Sequence, residues 1–250
     1  MMIDVPYLRY TVRSNGRLVL AITFVLSVFM IVICSFFDPN GGGIPGILDG
    51  TTLNQMLANS YYALMGVLFP IIYSIVVGNT LIAKKVDDTS MSAFLSTPVS
   101  RRSIVVTSGL YFACSHLFIW TFITILGLVI GNTFHGEYFD AGQFILINVG
   151  AFLFQLMVSG ICFCASCVFN TSKNSIIAGA SIPLLCFVIS LLRKFSSELE
   201  FLRFFTINSL FDAMAIIDGD DLWTFPVMCV LALGLYIGGI MFFIRKDLPI

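Results

Sequence analysis

Charge is scarce in this chain. Of its 250 residues, 11% are Asp, Glu, Lys or Arg, against about 25% in a soluble domain. That scarcity excludes an ordinary water-soluble domain. With 58% hydrophobic residues and a mean hydropathy of +0.98, it also excludes disorder, collagen and coiled coil. The net charge of -1 gives no basic surface for nucleic acid. Cysteine is missing from every segment outside the hydrophobic runs. Cys34, Cys114, Cys162, Cys164, Cys167, Cys186 and Cys229 all fall inside them, which excludes a disulfide framework. Cys162-x-Cys164-x-x-Cys167 looks like a metal cluster. On a helix, however, residues 162 and 164 stand about 200° apart and cannot share a ligand face. The group reads as small apolar packing, and no metal site is expected.

Two further absences narrow the function. No Asp, Glu, Lys or Arg lies well inside any hydrophobic run. Such residues mark ion and proton pathways, so a cation-coupled transporter and an intramembrane hydrolase are both disfavoured. His116, next to Ser115, is the one ionisable residue of that kind in a run. It reads as a neutral imidazole hydrogen-bonded to a neighbouring helix. His135 lies between runs and reads as solvated. A nucleotide-binding fingerprint is also absent, since Gly41-Gly42-Gly43 follows Asp38-Pro39-Asn40 as a turn would. No catalytic residue is expected, and energy for uphill movement must come from another polypeptide.

What is present is six apolar runs, each near the 20 residues that a helix needs to cross a bilayer. They cover 18–37, 57–83, 103–131, 144–169, 176–192 and 223–244. The runs are continuous and do not alternate, so β-barrel strands are excluded. The expected fold class is an all-α polytopic membrane protein forming a single transmembrane domain over 1–250. The first run is long for a signal sequence, and no A-x-A site follows it, so it reads as a retained span. Orientation follows the bases. Arg9, Arg13, Arg17, Lys84, Lys85, Arg101, Arg102, Lys173, Arg245 and Lys246 fall on one side, Arg193, Lys194 and Arg203 on the other. The first side has six more bases than acids and the second seven more acids than bases. Both termini are therefore expected in the cytoplasm.

Two segments on the basic side carry most of the information. In 4–17, Asp4 can cap a helix with Pro6 in its first turn. Arg9, Arg13 and Arg17 recur every four residues as one stripe, which fits an interfacial helix with Arg toward anionic headgroups. Gly16 would allow a bend into the first span. In the loop between spans two and three, Asp88, Thr89 or Ser90 can cap a short helix. Met91, Phe94 and Leu95 then share a face, and Thr97 before Pro98 ends the helix. An exposed Met/Phe/Leu face is suited to a partner's groove.

Phe94-Leu-Ser-Thr-Pro-Val-Ser-Arg-Arg102 resembles the L-L-x-x-P-V-S-R loop of the ABC-two type permeases, the membrane subunits of ABC exporters. Leu202 to Phe211 resembles the outer region of that family, and Phe243-Ile-Arg-Lys-Asp-Leu resembles its closing segment, so the likeness covers nearly the whole chain. It departs from the pattern at Lys85, where the family has Glu, at Thr89, where it has Gly, and at Ile207, where it has Pro. The resemblance implies that 87–98 is a coupling helix docking on a separate ATPase through Met91, Phe94, Leu95, Pro98 and Arg101. It implies short outer helices between spans five and six, ATP and Mg on the partner ATPase with no cofactor on this chain, and a second copy or a homologous permease. The family further implies a bacterial plasma-membrane exporter. The uncharged spans favour an amphipathic peptide or hydrophobic compound as cargo. A non-transport membrane sensor or scaffold subunit and a secondary transporter are the alternatives. The outer segment 193–222 is expected to cap the external exit.

Overall fold

The computed structural model describes residues 4–37, 52–96, 99–193, 206–220 and 222–246, with the backbone alone for Leu95 and Arg193. Among them the regular elements are helical throughout. Six helices are long and apolar enough to cross a membrane.

Helix α1 (Val5–Ser35) starts where Asp4 accepts a hydrogen bond from the Tyr7 amide at 2.8 Å. It is 31 residues long, about 46 Å, and so exceeds the roughly 30 Å hydrocarbon core. The expected separate interfacial helix over 4–17 is instead the first part of this one helix, which runs unbroken through Gly16. A glycine costs a helix only about 1 kcal/mol. Around it Thr11 Oγ1 donates to the Tyr7 carbonyl, and Asn15 Oδ1 accepts from Thr80 Oγ1 of the next span at 3.1 Å. These anchors fix the segment as a helix.

The second span is composite. Helix α2 (Leu53–Leu57) passes through a π-helical stretch, Ala58–Met65, into α3 (Gly66–Leu81). Pro70 inside α3 has no N–H for the Gly66 carbonyl. Gln155 replaces it from a neighbouring helix, donating to the carbonyls of Gly66 at 3.3 Å and Val67 at 3.2 Å. In a bilayer each such backbone group must find a partner inside the protein. At Ile82 the backbone turns to φ -130, ψ -65, and α4 (Ala83–Asp87) begins. The Ala83 amide donates to Ser166 Oγ at 2.9 Å. Helix α5 (Ser90–Leu95) follows, then α6 (Arg101–Phe134), capped by Ser100 accepting from the Ser103 amide. Helix α7 (Ala141–Val168) is capped by Asp140, and α8 (Ser172–Arg193) by Asp87, whose Oδ2 accepts from the Ser172 amide at 3.1 Å. A 3₁₀ turn (Ile207–Leu210), α9 (Ala213–Asp218) and α10 (Thr224–Arg245) complete the described chain.

Spans two and four form the centre, with 61% of their apolar windows buried, against 28% for α8 and 22% for α10. Helix α7 packs against α3, α6, α8 and α10, while α1 lies on α6 and α3. The outer faces display Phe24, Ile125, Leu185 and Val230, as lipid-facing surfaces do. Small residues let the centre close. A Cβ on Gly78 would stand 3.0 Å from Cys162 Cβ, and one on Gly131 would stand 2.6 Å from the Phe139 ring. Cys162 thus fills the crossing of α3 and α7, and its thiol donates to the Gly179 carbonyl of α8 at 3.4 Å. Chain order brings all ten bases of the first group to one end of the bundle, called the basic end below. The opposite, acidic end carries Glu137, Asp140, Asp212, Asp218 and Asp220.

Candidate functional site

The basic end is where short elements depart from the six spans. Asp88 terminates α4, and Thr89 holds φ 60, ψ 1, a left-handed conformation that suits glycine. This is the position where the resembling family has glycine. The Ser90 hydroxyl donates to Asp88 Oδ1 at 2.6 Å, and the Ser90 amide donates at 3.1 Å. These bonds, the hydroxyl's foremost, hold the exposed Asp88 carboxyl below the usual carboxylate range.

The turn places α5 against the start of α1, which corrects the expected exposure of Met91 and Phe94, while the Leu95 side chain lies outside the described residues. Met91 is only 1% exposed and belongs to the core. Phe94 meets Tyr7 edge-on at 5.4 Å and Tyr10 at 5.3 Å. The physical reason is that α1 continues straight from its cap and supplies the apolar wall that the face would otherwise seek outside. The backbone of Leu95 ends the helix, and Pro98 lies outside the described residues. Exposed on α5 and around it are Asp87, Asp88, Thr89, Ala93, Ser96, Arg101 and Arg102. Arg101 Nη1 reaches the Lys246 carbonyl at 3.5 Å.

Lys85 joins these parts. Its ammonium is buried and donates to Tyr7 Oη at 2.8 Å. It stands 4.7, 5.5 and 5.6 Å from the ring centroids of Tyr7, Tyr10 and Phe94. Cation–π attraction of this kind contributes about 0.5–2 kcal/mol. Tyr7 Oη also contacts Ser108 Oγ at 3.1 Å, and the Asp4 amide donates to Thr107 Oγ1 at 3.2 Å. The start of α1, span two, α5 and the start of α6 are therefore one hydrogen-bonded and aromatic cluster. In the sequence Lys85 stands out only by its topological side and as a departure from the family's Glu. The three rings that enclose it come from two separate segments, and periodicity within either segment cannot signal that.

Other groups hold fixed places. Arg9, Arg13 and Arg17 are exposed on α1. His116 accepts or donates at Ser74 Oγ, 2.9 Å away on span two, and at the Phe112 carbonyl. His135, expected to be solvated, packs edge-on against Phe37 at 5.3 Å because the two chain turns meet there. Lys246 Nζ donates to the Cys167 and Val168 carbonyls, capping the last turn of α7. Burial holds its pKa below the usual lysine value. At the acidic end a cavity of about 320 Å³ lies between the π-helical stretch and the 207–214 segment, lined by Asn59, Tyr62, Asn208 and Phe211 among others. Of the outer segment 193–222, expected to cap the external exit, residues 194–205 and 221 lie outside the described residues.

Six apolar helices, two of them central, with short elements clustered at the basic end, define a multi-pass membrane protein. Residues 53–245 match the family described as ABC-2 family transporter protein, and the chain belongs to that family. A search of curated proteins finds no match. Membership makes the chain a membrane permease component of a transporter, and the family implies an ATPase partner.

Proposed function

We propose that this chain is the permease of an ATP-driven exporter in a bacterial plasma membrane, with both termini cytoplasmic and residues 1–250 forming one transmembrane domain. A separate ATPase subunit docks at the basic end on the 87–101 segment. The observation that supports this most is the two-sided character of α5. One side is clamped to α1 by Phe94 and Lys85, and the other presents Asp88, Ala93 and Ser96 to solvent. A push on the exposed side would move α1 and span two together, because Lys85 at the end of span two is bonded to Tyr7 of α1. Met91 and Phe94 are then the residues that seat the coupling helix, while Asp88, Ala93, Ser96 and Arg101 meet the partner.

ATP and Mg reside on the ATPase, and this chain contributes no cofactor. ATP-driven closure of two ATPases would rock two permeases against each other. A second copy is proposed because six spans are few to enclose a path. The sparsely buried α8 and α10 offer it a face, and Gly234 and Gly238 are open there. The cargo is an amphipathic peptide or hydrophobic compound. The buried polar groups at mid-span are hydroxyls, amides and the His116 imidazole, with no carboxylate among the described residues there, so an inorganic cation would lack a counter-charge. The test is reconstitution of the permease with its ATPase in vesicles. Movement of a fluorescent amphipathic peptide that needs ATP is the expected result. Movement that persists without ATP would contradict the reading.

A further inference from the structure

The groove between α1 and α6 lies apart from the docking region. Leu8, Gly16 and Leu20 line it from α1, and Leu110, Tyr111 and Phe118 from α6, around a volume of about 440 Å³. A Cβ on Gly16 would meet nothing within 4 Å, so no part of the protein fills the slot there. Leu20 is 61% exposed and Phe118 48%, so the slot opens sideways from the bundle. Its lining is apolar apart from Ser115 and Tyr111, and the Tyr111 hydroxyl is itself buried.

The α1 wall repeats every four residues, through Leu8, Val12, Gly16 and Leu20. Arg9, Arg13 and Arg17 each come one residue later, so they form the adjoining stripe, 100° around the helix. All three are exposed, and none is paired with a carboxylate among the described residues. An apolar slot thus runs beside a column of three free guanidinium groups. We propose that this slot binds one anionic phospholipid, with an acyl chain between α1 and α6 and the phosphate held by Arg9 and Arg13. A guanidinium can grip a phosphate through two parallel hydrogen bonds. A second copy seated here about a two-fold axis would set like charges against like, which argues against that occupant.

The inference shares with the proposed function only the placement of the basic end at headgroup level, and its test needs no ATPase. Failure of the lipid site therefore leaves the docking reading untouched, and the reverse holds. The full-length permease is delipidated in mild detergent and offered phosphatidylglycerol or phosphatidylcholine with identical chains. Retained lipid is counted by native mass spectrometry. Each basic residue near a membrane surface multiplies anionic-lipid binding about five-fold. The expected preference for phosphatidylglycerol is therefore roughly ten-fold or more. Gly16→Phe fills the slot while raising helix propensity, and should lose both lipids with its helicity in detergent unchanged. Arg9→Gln with Arg13→Gln should keep one lipid and lose the preference. Equal retention of the two lipids by the wild type would overturn the proposal. So would an undiminished preference in Gly16→Phe, competition by inorganic phosphate as strong as by the long-chain lipid, or a dimer that closes the groove without lipid.

Discussion

Thr89 holds a left-handed backbone conformation that a β-branched residue reaches at a cost of roughly 1–2 kcal/mol. Thr89→Gly should therefore stabilise the protein by about 1 kcal/mol after the entropy of glycine is counted, and raise its thermal midpoint in detergent. A lower midpoint would mean that α5 is not set by this turn. Gln155 does the opposite work, satisfying a carbonyl that Pro70 leaves open. Gln155→Leu should cost about 1–2 kcal/mol in denaturant unfolding. Pro70→Ala should recover part of that loss, because it restores the amide that reaches Gly66. Strict additivity of the two changes would contradict the assignment. Pro70 was visible in the sequence, in the middle of the run 57–83. The role of Gln155 was not, because its partner lies almost ninety residues away and an uncharged amide in an apolar run carries no pattern.

At the scale of the element, the spans were legible because the apolar run itself is the physical cause of each helix. The cap by Asp4 was legible for the same reason, since it acts within four residues. The orientation of α5 was not. Met91 and Phe94 do share a face, but what that face meets depends on α1 continuing straight past Gly16. Phe94→Ala should leave the six spans folded and free α5 from Tyr7 and Tyr10. Hydrogen exchange of the Ser90–Leu95 amides should then rise well above wild type while that of α7 stays protected. Unchanged exchange in α5 would show that Met91 alone holds the helix.

Across the whole molecule, two buried spans carry the core and four more loosely packed helices surround them, with the bases gathered at one end. That asymmetry was visible in the order of charges along the chain. The union of α1, span two, α5 and α6 through Lys85 was not, because it is a contact among separate segments. The central claim is that this union transmits force from a docked ATPase. The most direct measurement is co-purification of the full-length permease with its ATPase, comparing wild type with an Ala93→Asp, Arg101→Glu variant. Both substituted positions are exposed, so the fold should hold. The account predicts that wild type retains a nucleotide-binding subunit and that the variant loses it at unchanged thermal stability. Equal retention by the two proteins would contradict docking on this surface.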